Sequence, residues 1–203
     1  MTDLITSVSY SQTEIIQNIQ KLYGDIECDV TYSKGVFYKD ISPPPLRFDI
    51  SPIEGVEYAD CRQLPLDNSS VAHLMFDPPF LATKGASLKK DDENNIIAKR
   101  FGVYPTEKEL FQFYSDSLME FRRVICPNGI LTVKIQDKVS SGKQILSHVW
   151  LINKAEKLGF ICEDLFVLIA KSRLTPEWQI KNQKHARKFH SYFLVFRRCN
   201  KNE

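Results

Sequence analysis

Cysteine is scarce and scattered in this chain. The five present (Cys28, Cys61, Cys126, Cys162 and Cys199) are odd in number and never fall as C-x-x-C. That spacing argues against a disulfide framework and a Cys-only zinc site, and it fits a reducing cytoplasm. Long hydrophobic runs are missing too. Stretches such as Leu165–Ala170 fall far short of the roughly 20 apolar residues needed to cross a bilayer, so no membrane association is expected. Met1-Thr2-Asp3-Leu4 opens without a basic or long apolar leader, so no secretory signal is expected. Histidines are few. His185 and His190 stand five apart with no carboxylates beside them, His73 and His148 read as structural, and no metal is suggested. Repeats and low-complexity tracts are absent. With 43% hydrophobic and 26% charged residues over 203 positions, disorder is excluded as the main state and one domain, residues 1–203, is expected.

What is present is unevenly charged. The net charge is only +2, yet Lys171 to Arg198 holds eight Lys or Arg against the single acid Glu177. Aromatic residues interleave with these bases at Trp178, Phe189 and Tyr192. Cations and rings together suit a polyanion such as nucleic acid. A solvated loop and lysine-rich edge strand would have the same composition. On this feature alone the two readings stand level.

Patterning predicts alternating elements. Ser11-Gln12-Thr13-Glu14 has capping-box spacing ahead of Ile15, Ile16, Ile19, Leu22 and Tyr23, and Gly24 stops that helix. Short strands follow around Ile26–Thr31, Leu46–Ile50, Val56–Ala59 and Val71–Phe76. Thr106–Glu109 repeats the capping spacing, and an apolar stripe from Leu110 to Ile125 runs to a break at Pro127-Asn128-Gly129. A buried strand at Ile130–Ile135, a helix over about Ile145–Leu158, a strand at Phe160–Ala170 and a last strand at His190–Arg198 complete the reading. Strands alternating with helices predict an α/β fold with a mostly parallel sheet. The last two strands have no helix pattern between them, so an antiparallel last strand is expected. Residues 81–104 read as a long polar active-site loop and 171–190 as a basic loop.

The chemistry concentrates in Asp77-Pro78-Pro79-Phe80, which ends the apolar strand Val71–Phe76. In an open α/β sheet, ligands gather at the carboxyl ends of strands. Two prolines fix φ and remove two N–H donors, so their carbonyls cannot join a ladder. A carboxylate beside a free carbonyl makes two acceptors suited to an –NH2 group, and the aromatic residue can stack on the ring bearing it.

With this tetrapeptide the chain resembles the class I S-adenosylmethionine-dependent methyltransferases that modify exocyclic amines of nucleic-acid bases. The resemblance spans about Ile26 to Arg198 and implies a Rossmann-like sheet with helices on both faces. It implies that Asp77, Pro78, Pro79 and Phe80 hold the target base. Asp29–Gly35 stands where the family has a glycine-rich turn and keeps its Asp and last Gly, so Asp29, Tyr32 and Gly35 are implied cofactor contacts. Only 13 residues separate Gly35 from Asp49, which leaves little room for a crossover helix. The resemblance further implies that Asp49 takes the ribose hydroxyls of S-adenosylmethionine, and that Asp60 and Cys61 sit at its adenine. Lys134, at the end of the fifth strand, and Lys181, Lys184, His185, Arg187 and Lys188 are candidate nucleic-acid contacts. The implied activity is methylation of adenine N6 in DNA. RNA methylation at guanosine N2 or adenosine N6 is the enzymatic alternative. A catalytically silent nucleic-acid-binding subunit is the non-enzymatic one. No stretch has the length of a target-recognition domain, so specificity is expected to be low or to come from the 81–104 loop, the 171–190 loop, or a protein partner or homodimer.

Overall fold

Among the described residues, three helices with defined bounds form where the sequence caps or patterns them. α1 (Gln12–Tyr23) starts at Ser11, whose Oγ accepts the Glu14 amide at 3.3 Å. Glu14 does not reach back to the Ser11 amide. It accepts the Ser9 hydroxyl at 2.5 Å, and Ser9 Oγ in turn accepts the Ser11 amide at 2.9 Å, so the box closes through a third residue. α2 (Glu107–Val124) is capped reciprocally: Thr106 Oγ1 accepts the Glu109 amide at 3.2 Å and donates to the Glu109 carboxylate at 3.0 Å. α3 spans Ser147–Lys157.

The computed structural model describes residues 4–80, 82, 104–140, 142–171, 181 and 183–200. All of the predicted active-site loop except Ala82 and Tyr104 lies outside the described residues, as do 172–180 and 182 of the basic segment. Ten strands are described: β1 (Val8–Ser9), β2 (Cys28–Asp29), β3 (Leu46–Asp49), β4 (Glu57–Tyr58), β5 (Val71–Phe76), β6 (Ile125–Ile135), β7 (Lys138–Ser140), β8 (Lys143–Ile145), β9 (Phe160–Ile169) and β10 (His190–Arg198). β7 and β8 form a separate hairpin. The other eight make one sheet in the order β1-β9-β10-β6-β5-β2-β3-β4. From β4 through β6 all neighbours are parallel, and β10 runs antiparallel to both β6 and β9.

β10 is not an edge strand but an interior one. Its central place puts both of its faces beneath helices, so Phe193, Leu194, Val195 and Phe196 are all fully buried. Alternate residues supply two cores. Leu194 and Phe196 join Leu74, Phe76, Leu131 and Val133 beneath α2 and α3. Phe193 and Val195 join Met75, Ile130 and Phe166 against Ile15, Ile16 and Ile19 of α1. Each such buried side chain contributes about 1.5–3 kcal/mol of transfer free energy. Helices thus cover both faces.

Two local expectations need correction. Pro127-Asn128-Gly129 does not separate α2 from the next strand, because β6 already begins at Ile125, paired with Val71. The three residues form an irregularity inside β6, where the pairing register shifts and Asn128 takes φ +63. A Cβ on Gly129 would lie 2.9 Å from the Ala72 carbonyl, so the strands approach too closely there for a side chain. The hairpin β7–β8 and the two-residue β1 have no counterpart among the expected elements. The short link from β2 to β3 holds only a 3-10 turn, Val36–Tyr38, as the spacing required.

Candidate active site

Four aspartates collect where the parallel strands end. Asp29 closes β2, Asp49 closes β3, Asp60 follows β4 and Asp77 follows β5. Their side chains have different surroundings. Asp29 is 2% exposed. It accepts the Thr31 amide and the Tyr38 hydroxyl, each at 2.8 Å. Burial pushes its pKa up to about 7, against the pull of those two hydrogen bonds. Thr31 Oγ1 then accepts the Asp77 amide at 2.7 Å. A chain of contacts therefore runs from Tyr38 through Asp29 and Thr31 to the backbone of Asp77. Asp49 accepts the Ser33 and Ser51 amides, each at 2.8 Å, one on each oxygen. Asp60 is gripped by Arg62, at 2.6 Å to one oxygen and 2.9 Å to the other, and these bonds hold its pKa below the ordinary value.

The Asp77–Phe80 turn is locked from outside. Pro79 O accepts the Tyr114 hydroxyl of α2 at 2.6 Å. Phe80 O accepts Lys138 Nζ at 2.6 Å, and that ammonium also faces Glu107 at 2.8 Å. Among the described residues no donor reaches the Asp77 carboxylate or the Pro78 carbonyl. Burial raises the pKa of Asp77, with the Lys134 ammonium acting in the opposite direction. Phe80 presents its ring with 37% exposure. The turn thus offers one carboxylate, one carbonyl and one exposed ring, held by contacts that use none of them. Tyr114, Lys138 and Glu107 carried no sequence signal, because only the packing of α2 and the hairpin against the turn brings them there.

Asp77 borders two clefts. The first, with about 760 Å³ of open volume, is lined by Thr31, Ser33, Asp49, Asp60, Cys61 and Arg62 among others, with Tyr104 and Phe113 on its α2 side. The second, about 840 Å³, is lined by Tyr10, Gln12, Phe80, Lys134, Gln136 and Lys171 among others. Among the described residues, three aspartates and one arginine line the first cleft, whereas two lysines and the shared Asp77 are the charged residues lining the second.

The predicted cofactor contacts divide accordingly. Asp49, Asp60 and Cys61 line the first cleft; burial pushes the Cys61 thiol up to about 12. Asp29, Tyr32 and Gly35 do not line it. The Tyr32 ring stacks on Tyr38 at 5.6 Å instead, packed toward the α1 core. Gly35 has φ +66, and a Cβ there would meet the Tyr32 hydroxyl at 2.5 Å.

The candidate nucleic-acid contacts also separate. Lys134 lines the second cleft, with Nζ donating to Gln12 Oε1 at 2.8 Å and lying 4.6 Å from the centre of the Phe37 ring. Lys181, Lys184, His185 and Arg187 are exposed and Lys188 is partly covered, and none of the five lines either cleft. His185 Nε2 donates to Gly142 O at 3.1 Å, which ties the basic segment to the β7–β8 hairpin. Among the described residues no group of His, Cys, Asp and Glu is arranged to hold a metal, and no helix is long and apolar enough to cross a membrane.

No family model and no curated protein sequence matches the chain. Solved structures do resemble it. In the Haloferax volcanii complex of the Trm112 methyltransferase activator with its assigned methyltransferase, the match has 11% identity and a TM-score of 0.55, over 96% of this chain and 91% of that one. The cyclase SpnF matches at 12% identity and a TM-score of 0.55, over 92% and 80% of the two chains. A protein of Thermus thermophilus, assigned as a DNA modification methylase and solved with S-adenosyl-L-methionine, matches at 16% identity and a TM-score of 0.47 over 71% of this chain. This chain spans just over half, 55%, of that protein's length. The architecture is therefore the Rossmann-like methyltransferase sheet. A sheet that also serves a cyclase carries no activity by itself, so function has to be argued from the site.

Proposed function

We propose that this chain methylates an exocyclic amine of a nucleic-acid base with S-adenosylmethionine, and that the amine is adenine N6 in DNA. The observation that carries the reading is the pair of acceptors that no donor among the described residues reaches, the Asp77 carboxylate and the Pro78 carbonyl, beside the exposed Phe80 ring. An –NH2 group has two N–H donors and needs two acceptors. Binding both turns the nitrogen lone pair out of conjugation with the ring and toward the first cleft. Phe80 would stack on a base flipped out of its helix.

The residues of the first cleft fit the cofactor. Asp49 spends one lone pair of each oxygen on a backbone amide, and a carboxylate offers about four such sites, so both oxygens can still accept ribose hydroxyls. The cleft's acids suit a ligand with a positive sulfonium and ammonium. Bound there, the cofactor supplies a methyl group already activated for transfer. The chain's own task is orientation and exclusion of water. After transfer the amine nitrogen must lose one proton, and Asp77, made more basic by burial, is placed to take it. Asp60 is the weaker fit, because Arg62 occupies both its oxygens.

A silent binding subunit is the second reading. It is favoured by one observation: Asp29, Tyr32 and Gly35, all implied cofactor contacts, do not line the cleft. A protein partner, such as the activator in the Haloferax complex, belongs with either reading. Mass spectrometry of nucleosides, after incubation with methyl-labelled cofactor and separate DNA and RNA pools, decides among them. Labelled N6-methyldeoxyadenosine is expected. Label in RNA alone would move the substrate, and no label in either pool would leave the silent subunit.

A further inference from the structure

The two clefts on either side of Asp77 differ in charge, and the proposed function uses only the first of them together with the turn. The second cleft carries Lys134 and Lys171, with Asp77 at its edge as the one acid among its described lining residues. Lys134 is fixed by Gln12, but an ammonium has three donors, so two remain. Lys171 has no ion-pair partner among the described residues, and its Nζ lies 5.9 Å from the centre of the Tyr10 ring. Tyr10 itself is 62% exposed, a large amount for an aromatic side chain at a cleft wall. Anionic groups would be attracted to this cleft and repelled by the three acids of the other.

We infer that the cleft between Tyr10 and Lys171 is a nucleotide-phosphate subsite. Lys171 and Lys134 take the phosphate of the nucleotide whose base reaches Asp77, and Tyr10 supplies a ring for the adjoining sugar or base. This rests on the proposed function for the identity of the base. It adds that the acceptor is read as a nucleotide rather than as a free nucleoside. It also assigns recognition to the segment ahead of α1 and to the residues at the end of β9, which share this cleft with Asp77 and Phe80.

The test is calorimetric titration of the whole protein, at low and at physiological salt, with deoxyadenosine, deoxyadenosine monophosphate and inorganic phosphate. The monophosphate is expected to bind about tenfold tighter than the nucleoside at low salt, the scale of one charge-assisted contact. Lys171→Met should remove most of that difference and leave nucleoside binding unchanged. Tyr10→Ala should weaken both ligands. Both side chains are solvent-facing or at a cleft wall, and circular dichroism of each variant checks the fold. Equal affinity for nucleoside and monophosphate, or a difference that survives Lys171→Met, overturns the subsite. The two proposals fail separately. Monophosphate binding of this kind without methyl transfer to any strand would sink the proposed function alone. Methyl transfer whose KM ignores both variants would sink the subsite alone.

Discussion

At the scale of single residues, Asp77 and Asp49 lie just past or at the ends of their strands but have opposite surroundings. Among the described residues no donor meets the Asp77 carboxylate, while Asp49 holds two backbone amides. Asp77→Ala is therefore expected to cut methyl transfer by roughly 100-fold or more, the scale for losing one preorganised polar group at a reacting centre. Its cofactor affinity should stay nearly unchanged. Asp49→Ala should instead weaken cofactor binding by roughly 1.5–3 kcal/mol, because two hydroxyls lose a charged acceptor. Calorimetry with cofactor alone separates the two, and the reverse pattern would overturn the strand-end assignment. The D-P-P-F turn was legible because two prolines and an acid after an apolar strand have few other uses. The packing of Tyr32 against the α1 core was not legible, since a tyrosine after a strand can face either side of the sheet. Only the stacking on Tyr38, with Gly35 pressed against the Tyr32 ring, decides its direction.

At the scale of elements, the capping residues announced α1 and α2 to within a residue at their starts. The sheet was harder, because β2 and β4 are two residues long and their order depends on pairing partners far away in sequence. His73 shows what such pairing does to one side chain. It sits 1% exposed between the end of α1 and β6, with Nδ1 against Gly24 O and Nε2 against Thr132 Oγ1, each at 2.8 Å. A carbonyl accepts only, so Nδ1 carries the proton and Nε2 accepts from the threonine. Burial is the main force that pulls its pKa down to about 4. The neutral ring therefore favours the folded state. Its contribution is complete above about 6.5, the unfolded value, and is lost as pH falls toward 4, amounting to roughly 3 kcal/mol. Asp29 works in the opposite direction, since its raised value favours the folded state as pH falls below about 7. Urea midpoints between pH 7.5 and 4.5 should consequently differ in slope between wild type and His73→Gln, with the variant losing less stability toward acid. Parallel curves would show that the histidine binds protons equally in the folded and unfolded states, and would overturn its lowered pKa.

At the scale of the whole molecule, the uneven charge seen in the sequence resolves into separate places. Two lysines enter the second cleft, while Lys181, Lys184, Arg187 and Lys188 lie outside both clefts, on a segment tied to the β7–β8 hairpin. Sequence alone could not distribute them, because the segment is joined to that hairpin only through the fold. If these four bases form a phosphate track, neutralising them together should weaken binding to all sequences alike. Each lost contact should flatten the slope of log K against log salt by about 0.7–0.9. Stability and cofactor binding should barely change. A salt series with a short duplex and a single strand, wild type beside the quadruple variant, gives the answer. Unchanged slopes on both would make these bases a solvated face.

The interior place of β10 has a consequence for how the molecule is made. His190–Arg198 is the last described strand to be synthesised, yet it fills the gap between β6 and β9 and sends side chains into both cores. On the ribosome, β6 and β9 must wait with bare hydrogen-bonding edges until this strand emerges from the exit tunnel. Such edges are templates for pairing with other chains. Between the emergence of β9 and that of β10 the nascent chain therefore carries two unpaired interior edges, and a holdase chaperone acting in that interval would matter more for this fold than for one whose strands are added in order toward the rim.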